Sequence, residues 1–355
     1  MRILIATGGT GGHIFPAIQT ALVLRQEGHE ILFAGALDWA LDQLRQKGFS
    51  VKNIRGQGLT RRSPLAMISF IGTMLAAFVR SLNTVRTFGP DRVVGFGAYS
   101  SFPVVCAARM FGCPAVIHEQ NAVPGKANRW LAPLARRVAV TFEETARFFP
   151  KGKTVWTGCP CHDRPPQKNK EELLRQFHFH KNRRTLLVLG GSQGSRFLNE
   201  TFLETLSLLT NELPLQVIHQ TGKEDLPVTR ERYQTQNIPY CVQDFFEEMG
   251  DVYALADLVV ARSGAATVNE IMAFGLPAVF VPYPFAESHQ KANAEVLVRE
   301  QAAWLIEQKD LSPQVLKNTI LKIFQASSAA APLKDKLQKF TRLNAAQHLA
   351  EVILS

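Results

Sequence analysis

The sequence predicts an α/β protein made of two Rossmann-like halves, each built on a parallel sheet. Three observations carry this. Short apolar runs alternate with helical stretches along all 355 residues, the order that produces βα units. The runs fall into two sets of about five, and a chain of this length is long for one core and suits two domains. A Gly-rich loop follows the first run of each set, Gly8-Gly9-Thr10-Gly11-Gly12 in one and Gly190-Gly191-Ser192-Gln193-Gly194 in the other.

In the first half the spacing predicts strands at 2–6, 30–34, 92–95, 115–118 and 137–140. In the second half it predicts them at 185–189, 216–220, 240–243, 258–261 and 278–281. Each is a nearly continuous apolar run, as expected of strands covered on both faces. The run 2–6 leads straight into a Gly-rich turn, which reads as a first strand and not as a signal peptide. Pro165 and Pro166 in a polar stretch at 165–170 mark a linker, giving domains at 1–163 and 164–332. A second linker is read at 326–332, and a final helix over about 333–354 is expected to pack back on the first domain.

Hydrophobic residues make up 46% and charged residues 20%, a globular mix that excludes a disordered chain. Residues 1–163 hold 19 Lys+Arg against 9 Asp+Glu, while 164–355 hold 21 of each, so the whole excess of +10 lies in the first half. A positive half suits an anionic partner such as lipid head groups or phosphates, and a solvated basic surface gives the same count. No aromatic-basic stacking pattern accompanies it, so nucleic acid is not an expected partner. The five Cys are odd in number and irregular in spacing, as in a reducing compartment. Cys159-Pro160-Cys161-His162 lacks a second ligand pair, so no metal site is expected.

Residues 63–79 carry no charge and are flanked by Arg61, Arg62, Arg80 and Arg86. The run is too short and too interrupted by Ser, Gly and Thr for a membrane span. Two compatible readings remain: a helix buried over the sheet, or one whose outer apolar face dips into an anionic bilayer.

The loop ending at His13 sits between a strand and a helix start. Glycines there allow close backbone approach, and the helix N-terminus offers free N–H groups to an anion or oxyanion. A dinucleotide fingerprint would need Gly-x-Gly-x-x-Gly and an acidic residue closing the second strand. That strand ends Phe33-Ala34-Gly35, with Asp38 only later, which argues against an oxidoreductase. His13 lies where the helix dipole opposes an imidazolium; it is either a base for a hydroxyl nucleophile or a residue that only bonds the loop. In the second Gly loop Ser192 adds a hydroxyl suited to phosphate. Gly264 to Glu270 begins a helix after strand 258–261, with Glu270 suited to a sugar diol. Gln290 and Asn293 are three apart on one helix face. Gly95-Phe96-Gly97-Ala98-Tyr99-Ser100-Ser101 and His118-Glu119-Gln120-Asn121 follow two further strands. Polar loops thus gather at the carboxyl edge of both sheets, where such folds bind ligands.

Together, GGTGGH, GFGAYSS, HEQNAVPG, GGSQGS, RSGAATVNE and HQKANA, in this order, resemble the MurG family of bacterial peptidoglycan glycosyltransferases over essentially the whole chain. The resemblance implies a GT-B architecture, two Rossmann-like domains with parallel sheets facing across a cleft that holds the active site. It implies an inverting transfer of N-acetylglucosamine from UDP-N-acetylglucosamine to the C4 hydroxyl of undecaprenyl-diphosphate-linked N-acetylmuramoyl-pentapeptide, with no cofactor. The enzyme would be peripheral, on the cytoplasmic face of the inner membrane, with residues 63–79 at the anionic surface. Thr10, Gly11, Gly12 and Asn121 would line the donor's sugar side, and Ser192 would hold the diphosphate. The Phe246 backbone would read the uracil. Ala265, Ala266, Thr267, Val268, Asn269 and Glu270 would cradle diphosphate and ribose, with Glu270 on the ribose hydroxyls. Gln290 and Asn293 would bind sugar hydroxyls, and His13 is the candidate base. Where the family reads Gly-Asn-Pro-Val-Arg, this chain has Gly158-Cys159-Pro160-Cys161-His162, so His162 replaces an Arg beside the donor and lacks its bidentate fork. Two same-fold alternatives stand beside this reading: transfer to another lipid acceptor, and epimerisation of UDP-N-acetylglucosamine.

Overall fold

The structure, a computed structural model, describes residues 1–54, 64–162, 166–285, 289–326, 336–337 and 339–355. Ser63 with Arg61 and Arg62, Pro165, and the 327–335 stretch of the expected second linker and helix start lie outside the described residues. The chain divides into two compact units. One comprises Met1–Cys161 with Asn344–Ser355, the other His162–Leu343.

The first unit runs β1 (Arg2–Ala6), α1 (Gly11–Gln26), β2 (Glu30–Gly35), α2 (Leu41–Gln46), β3 (Ser50–Asn53), α3 (Pro64–Phe88), β4 (Arg92–Gly95), α4 (Ser101–Met110), β5 (Ala115–Glu119), α5 (Lys126–Leu131), β6 (Arg137–Val140) and β7 (Thr154–Trp156). Its seven strands are all parallel, in the order β3-β2-β1-β4-β5-β6-β7. Alternation along β1 feeds both faces. Leu4 and Ala6 join a cluster with Val85 of α3 and Val104 of α4, while Ile3 and Ile5 join one with Ile14 and Ala17 of α1.

The second unit runs α6 (Lys170–Gln176), β8 (Arg184–Leu189), α7 (Arg196–Leu209), β9 (Leu215–Gln220), α8 (Leu226–Gln234), β10 (Tyr240–Gln243), α9 (Met249–Leu255), β11 (Leu258–Ala261), α10 (Ala265–Phe274), β12 (Ala278–Phe280), α11 (His289–Val298), β13 (Trp304–Leu305) and α12 (Pro313–Gln325). Its six strands are parallel, in the order β10-β9-β8-β11-β12-β13. In both sheets the strand order reverses beside the first strand of the unit, the position where such folds open a crevice at the carboxyl edge.

The last helix, α13 (Ala345–Leu354), is shorter than the sequence suggested. Asn344 sits at φ 57°, a left-handed conformation that breaks a continuous helix and starts a new one. Leu349, Ala350 and Ile353 of α13 complete the cluster containing Ile3, Ile5 and Ile14.

α3 carries the charge-free segment and continues past it, through Arg80 and Arg86, to Phe88. Its inner side buries Ala77, Ser81, Val85 and Phe88 against α4. Its outer side presents Ile71, Leu75 and Val79, each more than half exposed and four residues apart. Exposed Met110 and Trp130 lie on α4 and α5, which cover the same sheet face. Among the described residues no helix is long and apolar enough to cross a membrane.

Candidate functional site

In the first unit, loops after β1, β4 and β5 converge at the carboxyl edge. Thr10 is exposed at the N-cap of α1 without a side-chain cap; Gly11 is buried and Gly12 exposed. His13, in the first turn, is half-buried. Its carbonyl accepts from Thr7 Oγ1 at 3.1 Å. Its ring lies against Gly97, whose φ is +81° and where a Cβ would stand 3.3 Å from both Cε1 and Nδ1 of His13. A glycine is therefore needed at 97 for the loop to close on the imidazole. His13 Nδ1 is 3.0 Å from Gln120 Oε1.

Behind this lies a buried polar layer. His118 is fully buried, with Nε2 2.9 Å from the Gly158 carbonyl, and burial lowers its pKa to about 4, so the ring is neutral. The Glu119 carboxylate, also buried, accepts four bonds. Asn121 N and Nδ2 donate to Oε1 at 2.9 and 3.1 Å, and Gly125 N and Asn128 Nδ2 donate to Oε2 at 3.1 and 2.9 Å. These bonds satisfy the carboxylate and fix the loop that carries Asn121 and Gln120.

In the second unit the loops after β8, β11 and β12 gather at the corresponding edge. Gly194 packs so closely on the turn after β9 that a Cβ would lie 2.1 Å from the Thr221 carbonyl oxygen. This compact turn leaves Ser192 exposed at its tip, while Ser195 caps α7 by accepting from Leu198 N. Arg262, directly after β11, is buried. Its guanidinium donates to Ser195 Oγ, to the Val281 and Pro282 carbonyls and to Gln308 Oε1. All these acceptors are neutral, and desolvation lowers its pKa to about 10, still charged at neutral pH.

Gly264 is the N-cap of α10. Ala266 and Thr267 are half-exposed in its first turn, whereas Ala265, Val268 and Asn269 are buried, with Asn269 Nδ2 donating to the Ala265 carbonyl. Glu270 accepts from the Tyr253 hydroxyl at 2.8 Å and from His162 N at 3.3 Å. His162 thus sits beside Glu270, and its side chain is half-exposed. Gln290 Oε1 accepts from Tyr283 N at 2.9 Å, and buried Asn293 donates to the Ser263 carbonyl at 3.2 Å. Phe246 is buried, with its N–H given to Gln220 Oε1 at 3.1 Å.

The first unit therefore brings His13 together with Gly97 and Gln120. The second gathers Ser192, the start of α10 with Glu270, and the start of α11. Val268 and Asn269 face inward and shape the helix instead of lining a surface. Sequence reasoning gave no role to Gln120, Arg262 or Ser195. The available signal was positional: a polar or cationic residue directly after a central parallel strand. Among the described residues no cluster of metal-ligating side chains occurs.

Comparison with known proteins bears on this arrangement. Residues 3–140 match the glycosyltransferase family 28 N-terminal domain and residues 185–349 the family 28 C-terminal domain. The UDP-N-acetylglucosamine–N-acetylmuramyl-(pentapeptide) pyrophosphoryl-undecaprenol N-acetylglucosamine transferase of Geobacter metallireducens is 36% identical, covering 100% of this chain and 98% of its own. The enzyme of the same name from Nitrosococcus oceani is 39% identical over 99% of this chain and 97% of its own. The crystal structure of Acinetobacter baumannii MurG superposes with a TM-score of 0.77 at 30% identity, covering 99% of each chain. A UDP-GlcNAc 2-epimerase from Neisseria meningitidis, at 15% identity and a TM-score of 0.69, covers 100% of both chains and shares the fold alone. With both domain models matched in order and full-length relatives above 30% identity, the chain belongs to glycosyltransferase family 28, within the MurG family of GT-B transferases.

Proposed function

We propose that this chain is a hexosyltransferase. It moves N-acetylglucosamine from UDP-N-acetylglucosamine to the C4 hydroxyl of undecaprenyl-diphosphate-linked N-acetylmuramoyl-pentapeptide, completing the lipid-linked peptidoglycan precursor. The observation that carries the reading is full-length similarity to transferases of that name, joined to a His held at the carboxyl edge of the first sheet. Epimerisation has only fold-level likeness behind it.

His13 is the base: its ring takes the proton as the acceptor oxygen bonds to the anomeric carbon, and UDP leaves with the electrons of the broken C–O bond. Thr10, Gly11 and Gly12 offer the first turn of α1 to the sugar, with Asn121 on the loop that Glu119 anchors. In the second unit Ser192, Ala265, Ala266 and Thr267 approach the diphosphate with hydroxyl and backbone groups at a helix start, with Val268 and Asn269 packing that helix. Buried Arg262 adds positive charge behind that loop. Glu270 takes the ribose hydroxyls, Phe246 the uracil, Gln290 and Asn293 the sugar hydroxyls, and His162 stands near the donor beside Glu270. The reading needs no cofactor. The exposed Ile71-Leu75-Val79 row, with Arg80 and Arg86 exposed on the same helix, supports peripheral contact with an anionic membrane on its cytoplasmic face.

The test is transfer of labelled N-acetylglucosamine to a short-chain lipid-linked muramoyl-pentapeptide, beside a diacylglycerol acceptor and a no-acceptor control. Transfer to the muramoyl lipid alone is expected. Transfer only to diacylglycerol, or epimerised donor without acceptor, overturns the assignment. His13→Ala is expected to lower kcat far more than donor affinity, and unchanged turnover removes His13 from the mechanism.

A further inference from the structure

The chain of polar groups behind His13 has a direction that can be read from donors and acceptors alone. His118 Nε2 lies 2.9 Å from the Gly158 carbonyl, which only accepts, so Nε2 carries the proton. The ring is fully buried and neutral, so its Nδ1 is a bare acceptor. The side-chain nitrogen of Gln120 lies 3.2 Å from that Nδ1, 3.0 Å from the Phe96 carbonyl and 3.4 Å from the His118 carbonyl. Three acceptors surround one end of this amide, and the residue is 1% exposed. The NH2 must occupy that end, because the reverse orientation would press a carbonyl oxygen against two carbonyl oxygens and a lone pair. The other end, Oε1, then faces His13 Nδ1 at 3.0 Å. An amide oxygen cannot donate, so His13 Nδ1 must.

We propose that Gln120 is a positioning residue that holds His13 with its proton on Nδ1 and its lone pair on Nε2, and that His118 fixes the Gln120 amide in the orientation this requires. The inference rests on the reading of His13 as the base and names the basic atom, Nε2. It also sets this arrangement apart from a His oriented by a carboxylate. The amide orients the ring and selects its tautomer but brings no negative charge to the imidazolium formed during transfer. The neighbouring carboxylate, Glu119, is occupied by four donors of its own loop.

Full-length protein labelled with 15N-histidine would be examined at neutral pH by long-range proton–nitrogen correlation, with His13 assigned by the signals lost in His13→Gln. A protonated Nδ1 and an unprotonated Nε2 are expected. In Gln120→Met, which preserves length but has no amide, the two tautomers should mix, and kcat should fall about 10- to 100-fold while KM for UDP-N-acetylglucosamine stays within about twofold. Proton on Nε2 in the unaltered protein overturns the proposal, and so does a Gln120→Met protein that keeps both the tautomer and kcat. The spectrum of the unaltered protein decides the question even if the variant fails to fold. Failure of the base reading would show separately, as full turnover in His13→Ala with the tautomer unaffected by that result.

Discussion

Arg262 Nη2 donates to Ser195 Oγ at 2.7 Å, tying the residue after β11 to the N-cap of the helix that follows the β8 loop. The same guanidinium holds the end of β12 through two carbonyls. Three loops at one sheet edge are therefore registered by one side chain. Arg262→Lys keeps a charge but has one nitrogen for these acceptors. Losing a charge-assisted bond costs about 1.5–3 kcal/mol, so KM for UDP-N-acetylglucosamine should rise about tenfold or more, with kcat changed less. Steady-state kinetics with varied donor checks this, and an unaltered KM would remove Arg262 from the donor side.

Gly97→Ala should separate chemistry from binding. The added methyl meets the His13 ring at 3.3 Å, and the positive φ adds about 1–2 kcal/mol of backbone strain. A fall in kcat of about tenfold is expected with donor KM nearly constant, together with a lower Tm. A variant with normal kcat would show that the ring tolerates displacement.

The outer row of α3 predicts a membrane phenotype without a stability phenotype. Leu75 is 63% exposed, so Leu75→Glu should leave Tm within a degree or two. On the proposed membrane contact, removing this leucine, worth about 1.5–3 kcal/mol when inserted, should weaken co-sedimentation with phosphatidylglycerol vesicles about tenfold. Transfer to a short-chain, water-soluble acceptor should persist. Equal sedimentation of both proteins would place the contact elsewhere.

Two buried histidines make the fold acid-sensitive. Burial lowers the pKa of His118 to about 4 and of His219 to about 3, against an ordinary value near 6.5. His219 is held neutral between the Tyr233 hydroxyl and Asn199 Oδ1, each at 3.0 Å. Because the unfolded chain binds these protons first, the contribution is complete above about pH 6.5 and shrinks as pH falls towards 4 and 3. The slope is about 1.4 kcal/mol per histidine per pH unit. Unfolding followed from pH 7 to 4.5 should show this loss, and His219→Gln should have a shallower slope. Parallel slopes would mean that His219 does not titrate on unfolding.

His162→Arg would restore a fork-shaped cation beside Glu270. Donor KM should fall several-fold, about 1 kcal/mol. An identical donor KM for the two proteins would count against any contact of His162 with the donor.

The central strands were legible in the sequence because each is a continuous apolar run covered on both faces: 2–6, 92–95, 137–140 and 258–261 agree residue for residue, and so does 240–243, although β10 lies at a sheet edge. β3, β7 and β13 were not. They are edge strands of two to four residues, half-exposed or polar, and lack the buried run that betrays a central strand. The Gly loops and polar loop ends were visible for the same reason as the strands they follow. The Gln120–His13 bond joins residues 107 apart, and no local pattern encodes such a pair. Arg262 was written plainly after its strand, but that it is buried among neutral acceptors emerges only when the β8 and β12 loops meet.

The return of α13 to the first unit has a consequence for how this protein is made. Leu349, Ala350 and Ile353 cover Ile3, Ile5 and Ala17, yet the ribosome delivers them only after the whole of His162–Leu343 has been synthesised. The first sheet must wait, with one greasy flank open, while the whole of His162–Leu343 is synthesised. Nascent chains arrested before residue 344 should therefore be the species that chaperones hold, and release should coincide with the appearance of this short closing helix.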